Sequence, residues 1–214
     1  MLSCPTPEKG KSKFSPSPAF LVNTSEQYFW GYLMRKFTFR QLAVSGLVCL
    51  SLSCIQPAAA APSVQVGFSP EGSALQLVLK TIESAQHEIR LMGYSFTSPE
   101  VVSALVRAKR RGVDVRIVLD EKGNRSKASQ AAMNIVVNAG IPLRTNGRYA
   151  IMHDKVIIVD NHTVEAGSFN YTRSAASRNS ENVLVINEVP EVAQTYLQHW
   201  QSRWDGGTEW HSSY

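Results

Sequence analysis

Within "IMHDKVIIVDNHTVEAGSFN", residues 151 to 170, a histidine and a lysine stand two apart, an aspartate closes an apolar run, and Gly-Ser-x-Asn follows. If Met152 to Val159 is a strand, His153 and Lys155 point to one face and Asp154 to the other, because side chains alternate along an extended chain. Met152, Val156 and Ile158 share Asp154's parity, while Ile157 and Val159 share that of His153. Both faces are apolar beyond the motif, which predicts a central strand with a partly buried histidine and lysine. A buried ammonium is costly without a partner. Lys155 therefore either pairs with a carboxylate or awaits an anionic ligand.

The surrounding residues suit a phosphate. Ser168 and Asn170 supply neutral donors just after Gly167, and Glu181 follows a short polar loop. Imidazole, ammonium, hydroxyl and amide can together hold a phosphoryl group and attack it. Histidine serves as nucleophile or acid, lysine neutralises non-bridging oxygens, and Ser and Asn donate to them. Glu181 could orient a histidine and raise its basicity. One histidine without a second nearby ligand argues against a metal centre. Asp160 has the other parity and sits before a turn, which suits a turn organiser better than a substrate contact.

The elements that must position this set alternate along the chain. "GSALQLVLKTIESAQ" reads as a helix with Ser73 as its cap, and "EIRLMGYSF" as a strand. "SPEVVSALVRAKRRG" is a helix with Ser98 at the N-cap, Pro99 at the first position and Gly112 as terminator. "VDVRIVLD" is a half-buried strand, "SKASQAAMNIVVNAG" a helix ending at Gly140, and "IPLRTN" a short strand. "IMHDKVIIVD" and "HTVEAGS" form two strands around a turn near Asn161, followed by a Ser/Asn/Arg-rich loop. "ENVLVIN" is a strand and "PEVAQTYLQHWQSRW" a helix opened by Pro190. Strands alternating with helices argue for an α/β (α+β) domain built on a mixed sheet flanked by helices.

The formal charge of +5 is unevenly spread. Before residue 61, Lys9, Lys11, Lys13, Arg35, Lys36 and Arg40 face only Glu8 and Glu26, leaving +1 for the remainder. From Met34 a basic stretch leads into an apolar run, Leu42 to Ile55, and then small residues, Ala58 to Ala61. That is the order of a secretory signal peptide, with A-x-A cleavage after Ala60. The apolar run is shorter than the roughly 20 residues of a spanning helix. The expected organisation is a disordered extension or mis-assigned start over 1–33, a signal peptide over 34–60, and a catalytic domain over 61–214, exported to the periplasm or beyond. Cys4, Cys49 and Cys54 all precede the domain, which therefore has no disulfide and no thiolate nucleophile. It also has no integral membrane segment.

His153, Lys155, Asp160, Gly167, Ser168 and Asn170 together spell H-x-K-x4-D-x6-G-S-x-N. From average residue usage, chance occurrence in such a chain is on the order of one in a hundred thousand. The pattern resembles the signature of the phospholipase D superfamily, and within it the small, single-motif bacterial Nuc-type endonucleases. The likeness runs from "FSPEG" (Phe68 to Gly72) through "RGVDVRIVLD" to "SRNSENVLVI". It implies a phospholipase D-like fold with helices on both faces of the sheet. It further implies that His153 is a nucleophile forming a phosphohistidine, that Lys155 and Asn170 hold the phosphate, that Ser168 contributes to the pocket and that Glu181 supports the histidine. By the same resemblance no metal or cofactor takes part.

Displacement through a phosphohistidine needs a nucleophile on one side of phosphorus and an acid on the other. His87, His162, His199 and His211 lack the lysine partner. A C2 homodimer pairing two copies of His153 is the expectation. Nucleic acid is the expected substrate, with phospholipid the alternative. Lys109 to Arg111, Arg125, Lys127, Arg144, Arg148, Arg173 and Arg178 are candidate phosphate contacts, and Gly167 joins Arg173 and Arg178 in the candidate binding set. Lys109 to Arg111 equally suit the C-terminal turn of a helix.

Overall fold

The computed structural model describes residues 60–213. The predicted extension over 1–33 and signal peptide over 34–60 lie outside them, apart from Ala60 itself. Among the described residues, the strands are β1 (Ser63–Ser69), β2 (Glu88–Gly93), β3 (Asp114–Asp120), β4 (Leu143–Asn146), β5 (Lys155–Val159), β6 (Thr163–Gly167), β7 (Glu181–Asn187) and β8 (Thr208–Glu209). The helices are α1 (Ser73–Ser84), α2 (Pro99–Arg110), α3 (Lys127–Asn138), α4 (Arg173–Ser177) and α5 (Pro190–Asp205). No helix among them is long and apolar enough to cross a membrane.

The strands make one sheet in the order β1-β7-β6-β5-β2-β3-β4-β8. β2, β3 and β4 are parallel, joined by crossovers through α2 and α3, and the other pairings are antiparallel. Alternation within each strand serves two cores. Ile89, Leu91, Ile117, Leu119, Ile157 and Val159 pack with α1, α2 and α3 on one face. Met92, Val118, Val156, Ile158 and Val164 meet Trp200 and Trp204 of α5 on the other. This is the mixed sheet that the alternation implied, with helices on both faces as the resemblance implied.

Local signals set most boundaries. Ser98 Oγ accepts from Val101 N, Pro99 opens α2, and Ser126 Oγ accepts from Ser129 N at the start of α3. α1 differs from expectation: Gly72, in a left-handed conformation, is its N-cap. Ser73 is instead the first helical residue, exchanging hydrogen bonds with the Phe68 backbone.

The registers bring one end of nearly every strand to a common edge. Gly93 lies opposite Lys155, Asp120 opposite Asn146, Gly167 opposite Val183, and Ser69 opposite Glu181. The loops leaving β2, β3 and β4 and the segment entering β5 therefore share that edge, where open α/β sheets bind ligands.

Candidate active site

The strand predicted from Met152 begins only at Lys155, and residues 151–154 are irregular. β2 ends at Gly93, the partner of Lys155, so nothing continues the ladder beyond it. The preceding segment is held by the buried Asp120 carboxylate, which accepts from Met152 N at 2.6 Å and Gly123 N at 2.6 Å. His153 is consequently exposed rather than partly buried, and its ring makes no hydrogen bond among the described residues. It lies 4.8 Å from the Tyr94 ring.

Lys155 is buried, at 5% exposure. Its Nζ donates to the His153 carbonyl at 2.7 Å and lies 5.3 Å from the centre of the Tyr94 ring. No described carboxylate forms an ion pair with it. Burial pushes the ammonium pKa below the usual lysine value, against the opposing pull of Asp154 and Glu181. The site thus presents a partly desolvated cation beside an uncommitted imidazole.

The Gly-Ser-x-Asn segment reaches the same edge from β6. A Cβ at Gly167 would collide with the Asn182 carbonyl oxygen, so the close approach of β6 to β7 demands glycine there. Ser168 Oγ donates to Glu181 Oε2 at 2.6 Å and accepts from Asn182 N at 3.0 Å. Asn179 donates to Glu181 Oε1 at 2.9 Å. Glu181 therefore engages Ser168 and Asn179, and not the histidine of its own chain. Asn170 has an uncommitted amide, whose Oδ1 is buried without a hydrogen-bond partner. Arg173 opens α4 and Arg178 follows it, both exposed and without a hydrogen bond from the guanidinium among the described residues.

Asp160, a motif residue and the last of the candidate catalytic set, takes the turn role that its parity suggested and leaves that set. It lies at the far end of β5, about 16 Å along the strand from Lys155. Its carboxylate accepts from Gln86 N, His87 N and Glu88 N, each at 2.8 Å, and its backbone is left-handed at φ 50. It ties the β5–β6 turn to the start of β2, at the end of β5 away from His153. Lys109 to Arg111 also lie away from the site, where α2 leads into the start of β3. Arg111 caps the carbonyls of Ile82, Glu83 and Ala85. Arg144 donates to the Trp204 carbonyl and stacks 4.5 Å over that ring.

Tyr94, Asn124 and Tyr171 were not anticipated. Asn124 accepts from Phe96 N and donates to the Tyr94 and Asp120 carbonyls, fixing the loop that carries Tyr94. Tyr171 anchors Asn170: its carbonyl accepts from Thr97 N and Ser98 N, and its hydroxyl donates to the buried Glu165 at 3.0 Å. Burial pushes the Glu165 carboxyl up to about 8 despite that hydroxyl. The sequence carried no separate signal for Tyr94, because the expected strand ran on to Phe96, whereas β2 ends at Gly93 and leaves Tyr94 in the loop beyond it. Asp154 turns to the opposite face and meets His199 at 3.1 Å. Among the described residues no group of three or more His, Cys, Asp or Glu side chains is placed to hold a metal.

Residues 78–204 match the family model described as "Cardiolipin synthase, PLD-like domain". The crystal structure of Nuc, a phospholipase D family member from Salmonella typhimurium, is similar at 59% identity and a TM-score of 0.71. That match covers 71% of this chain and all of the other. A protein named phospholipase D from Rickettsia conorii is 35% identical over 140 residues, 65% of this chain and 68% of that protein. Human mitochondrial cardiolipin hydrolase is 31% identical over 163 residues, 72% of this chain and 64% of that protein.

Proposed function

This chain belongs to the phospholipase D superfamily and is a phosphodiester hydrolase, and from that premise we propose that it is an exported, sequence-nonspecific endonuclease acting on DNA, with RNA as a further substrate. The observation that carries the chemistry is the buried Lys155 ammonium, unpaired by any described carboxylate, beside an exposed His153 and the free amide of Asn170. A phosphodiester supplies the missing negative charge. Lys155 and Asn170 bind its non-bridging oxygens, and Ser168, held by Glu181, borders the pocket.

His153 attacks phosphorus, forming a P–N bond as the P–O bond to the leaving alcohol breaks. The alcohol takes its proton from a second imidazole, which then removes a proton from water as that water cleaves the phosphohistidine. The chemistry runs through these side chains without a metal.

The second imidazole is His153 of another copy. An apolar face supports the pairing: Val64, Val66 and Phe68 of β1 are 61%, 54% and 53% exposed, with Leu184 of β7 beside them. α5 covers β2 through β6 on that face, whereas β1 and β7 lie outside its span. The patch ends at Phe68 and Ser69, opposite Asn182 and Glu181, so a second copy seated there meets this site.

Nucleic acid is favoured by exposed Arg148, Arg173 and Arg178 at the site edge and by the 59% identity to Nuc. Export rests on the leader sequence at 34–60. Phospholipid head-group hydrolysis is the second reading, favoured by the names of the Rickettsia and human relatives. The deciding assay gives purified protein plasmid DNA or phosphatidylcholine in EDTA, alongside His153→Ala. Nicking that survives EDTA and vanishes in the variant supports the nuclease; lipid turnover without nicking overturns it.

A further inference from the structure

The loop that enters the site from β4, residues 147–151, carries two exposed apolar side chains, Tyr149 at 38% and Ile151 at 49%. It is held from several sides. Lys122 Nζ donates to the carbonyls of Tyr149 at 3.3 Å and Ala150 at 3.1 Å. Arg148 N donates to Asn146 Oδ1 at 3.0 Å, and Asp120 fixes Met152. The Arg203 guanidinium lies 4.9 Å from the centre of the Tyr149 ring. The backbone that carries the partly exposed Tyr149 ring is thus held in place, with the Arg203 guanidinium against the ring and the exposed Arg148 next to it in sequence.

Tyr149 and His153 are four positions apart, at most about 14 Å of chain. That is within reach of a nucleotide flanking the scissile phosphate. Bases stack on aromatic side chains whatever their sequence, and a guanidinium behind the ring adds to the attraction. Insertion of the ring into lipid fits less well, because it would carry the Arg203 guanidinium and the Lys122 ammonium into an apolar medium.

We propose that Tyr149, backed by Arg203, is a stacking platform for an unpaired base next to the scissile phosphate. This rests on the nuclease assignment above. A base inside a duplex is already stacked, so strands with splayed bases are the substrates that use the platform.

The test compares kcat/KM on a thymidine oligonucleotide with that on an equally long strand of tetrahydrofuran abasic residues. Wild-type protein favours the base-bearing strand by about tenfold or more, the scale of one stacked base. Tyr149→Phe and Tyr149→Trp keep that ratio, whereas Tyr149→Ala and Tyr149→Leu bring it near one. An unbiased wild type, or Ala and Leu variants that keep the wild-type ratio, overturns the platform. Wild-type protein that cleaves neither strand yet hydrolyses phosphatidylcholine vesicles overturns the nuclease assignment itself, and the platform with it.

Discussion

The ammonium of Lys155 donates a 2.7 Å hydrogen bond to the backbone carbonyl of His153. One residue of separation thus ties a buried cation to the backbone that carries an exposed imidazole. The lysine is placed both to receive the charge of a phosphate and to hold the segment that presents the nucleophile.

Lys155→Met tests the first role. The ammonium is desolvated without an ion pair, so its loss removes a burial cost together with one hydrogen bond. Stability is expected to stay within about 1 kcal/mol of wild type, while activity falls about 10²- to 10³-fold, as when one oxyanion donor is removed. Inorganic phosphate raises the Tm of wild-type protein and leaves that of the variant unmoved. An equal phosphate shift in both proteins would refute an anion site at Lys155.

Asp160 is predicted to matter for stability alone. Its carboxylate accepts three backbone hydrogen bonds, and Asp160→Ala is expected to cost about 3 kcal/mol, allowing for bonds to a charged group. Activity per folded molecule stays within about twofold, because substitutions remote from the chemistry leave transition-state binding intact. Burial pushes the Asp160 carboxyl up, but the amides of Gln86, Glu88 and His87 outweigh it and hold the pKa below the usual value. A depressed pKa contributes stability that is present above the unfolded value and lost as pH falls through the folded one. Urea unfolding between neutral and acid pH is therefore steeper in pH for wild type than for the variant; parallel curves would contradict this.

Glu165 has the opposite sign. Its folded pKa is raised to about 8 by burial, so the folded state keeps its proton while the unfolded state releases it above the ordinary carboxylate range. Its contribution to stability is full below that range and declines as pH rises toward 8. Glu165→Gln removes the decline. The variant gains on wild type between acid pH and pH 8, by an upper bound of about 5 kcal/mol at 1.36 kcal/mol per pKa unit. A constant difference across that range would show that Glu165 does not stay protonated.

The apolar face of β1 and β7 predicts the effect of Val66→Glu. Val66 is 54% exposed, so the substitution leaves the monomer's core untouched. Light scattering is expected to show a dimer for wild type and a monomer for the variant, with unchanged circular dichroism and lost activity. A variant that is monomeric and fully active would end the case for a shared site.

Much of this protein is written locally. The cap at Ser98 and the opening prolines of α2 and α5 predict helices that the structure contains. The motif spacing likewise named His153, Lys155, Ser168 and Asn170, which the fold gathers at one sheet edge. Departures arose where remote groups intervene. β1, β8 and the short α4 escaped notice: β1 exists through pairing with β7, more than a hundred residues on, and α4 is a single turn capped by Thr172.

Spacing and residue type by themselves determined the reaction class, because phosphoryl chemistry needs those side chains. Only the tertiary structure decided that His153 is exposed while Lys155 is buried, that Glu181 engages Ser168, and that Asp160 ties its turn to the start of β2. Each of those depends on a partner brought from elsewhere in the chain: Asp120 for the His153 segment, β7 for the serine, and the start of β2 for Asp160. Side-chain periodicity is a property of a few consecutive residues, whereas hydrogen-bond partnership across a sheet exists only once the strands have been ordered.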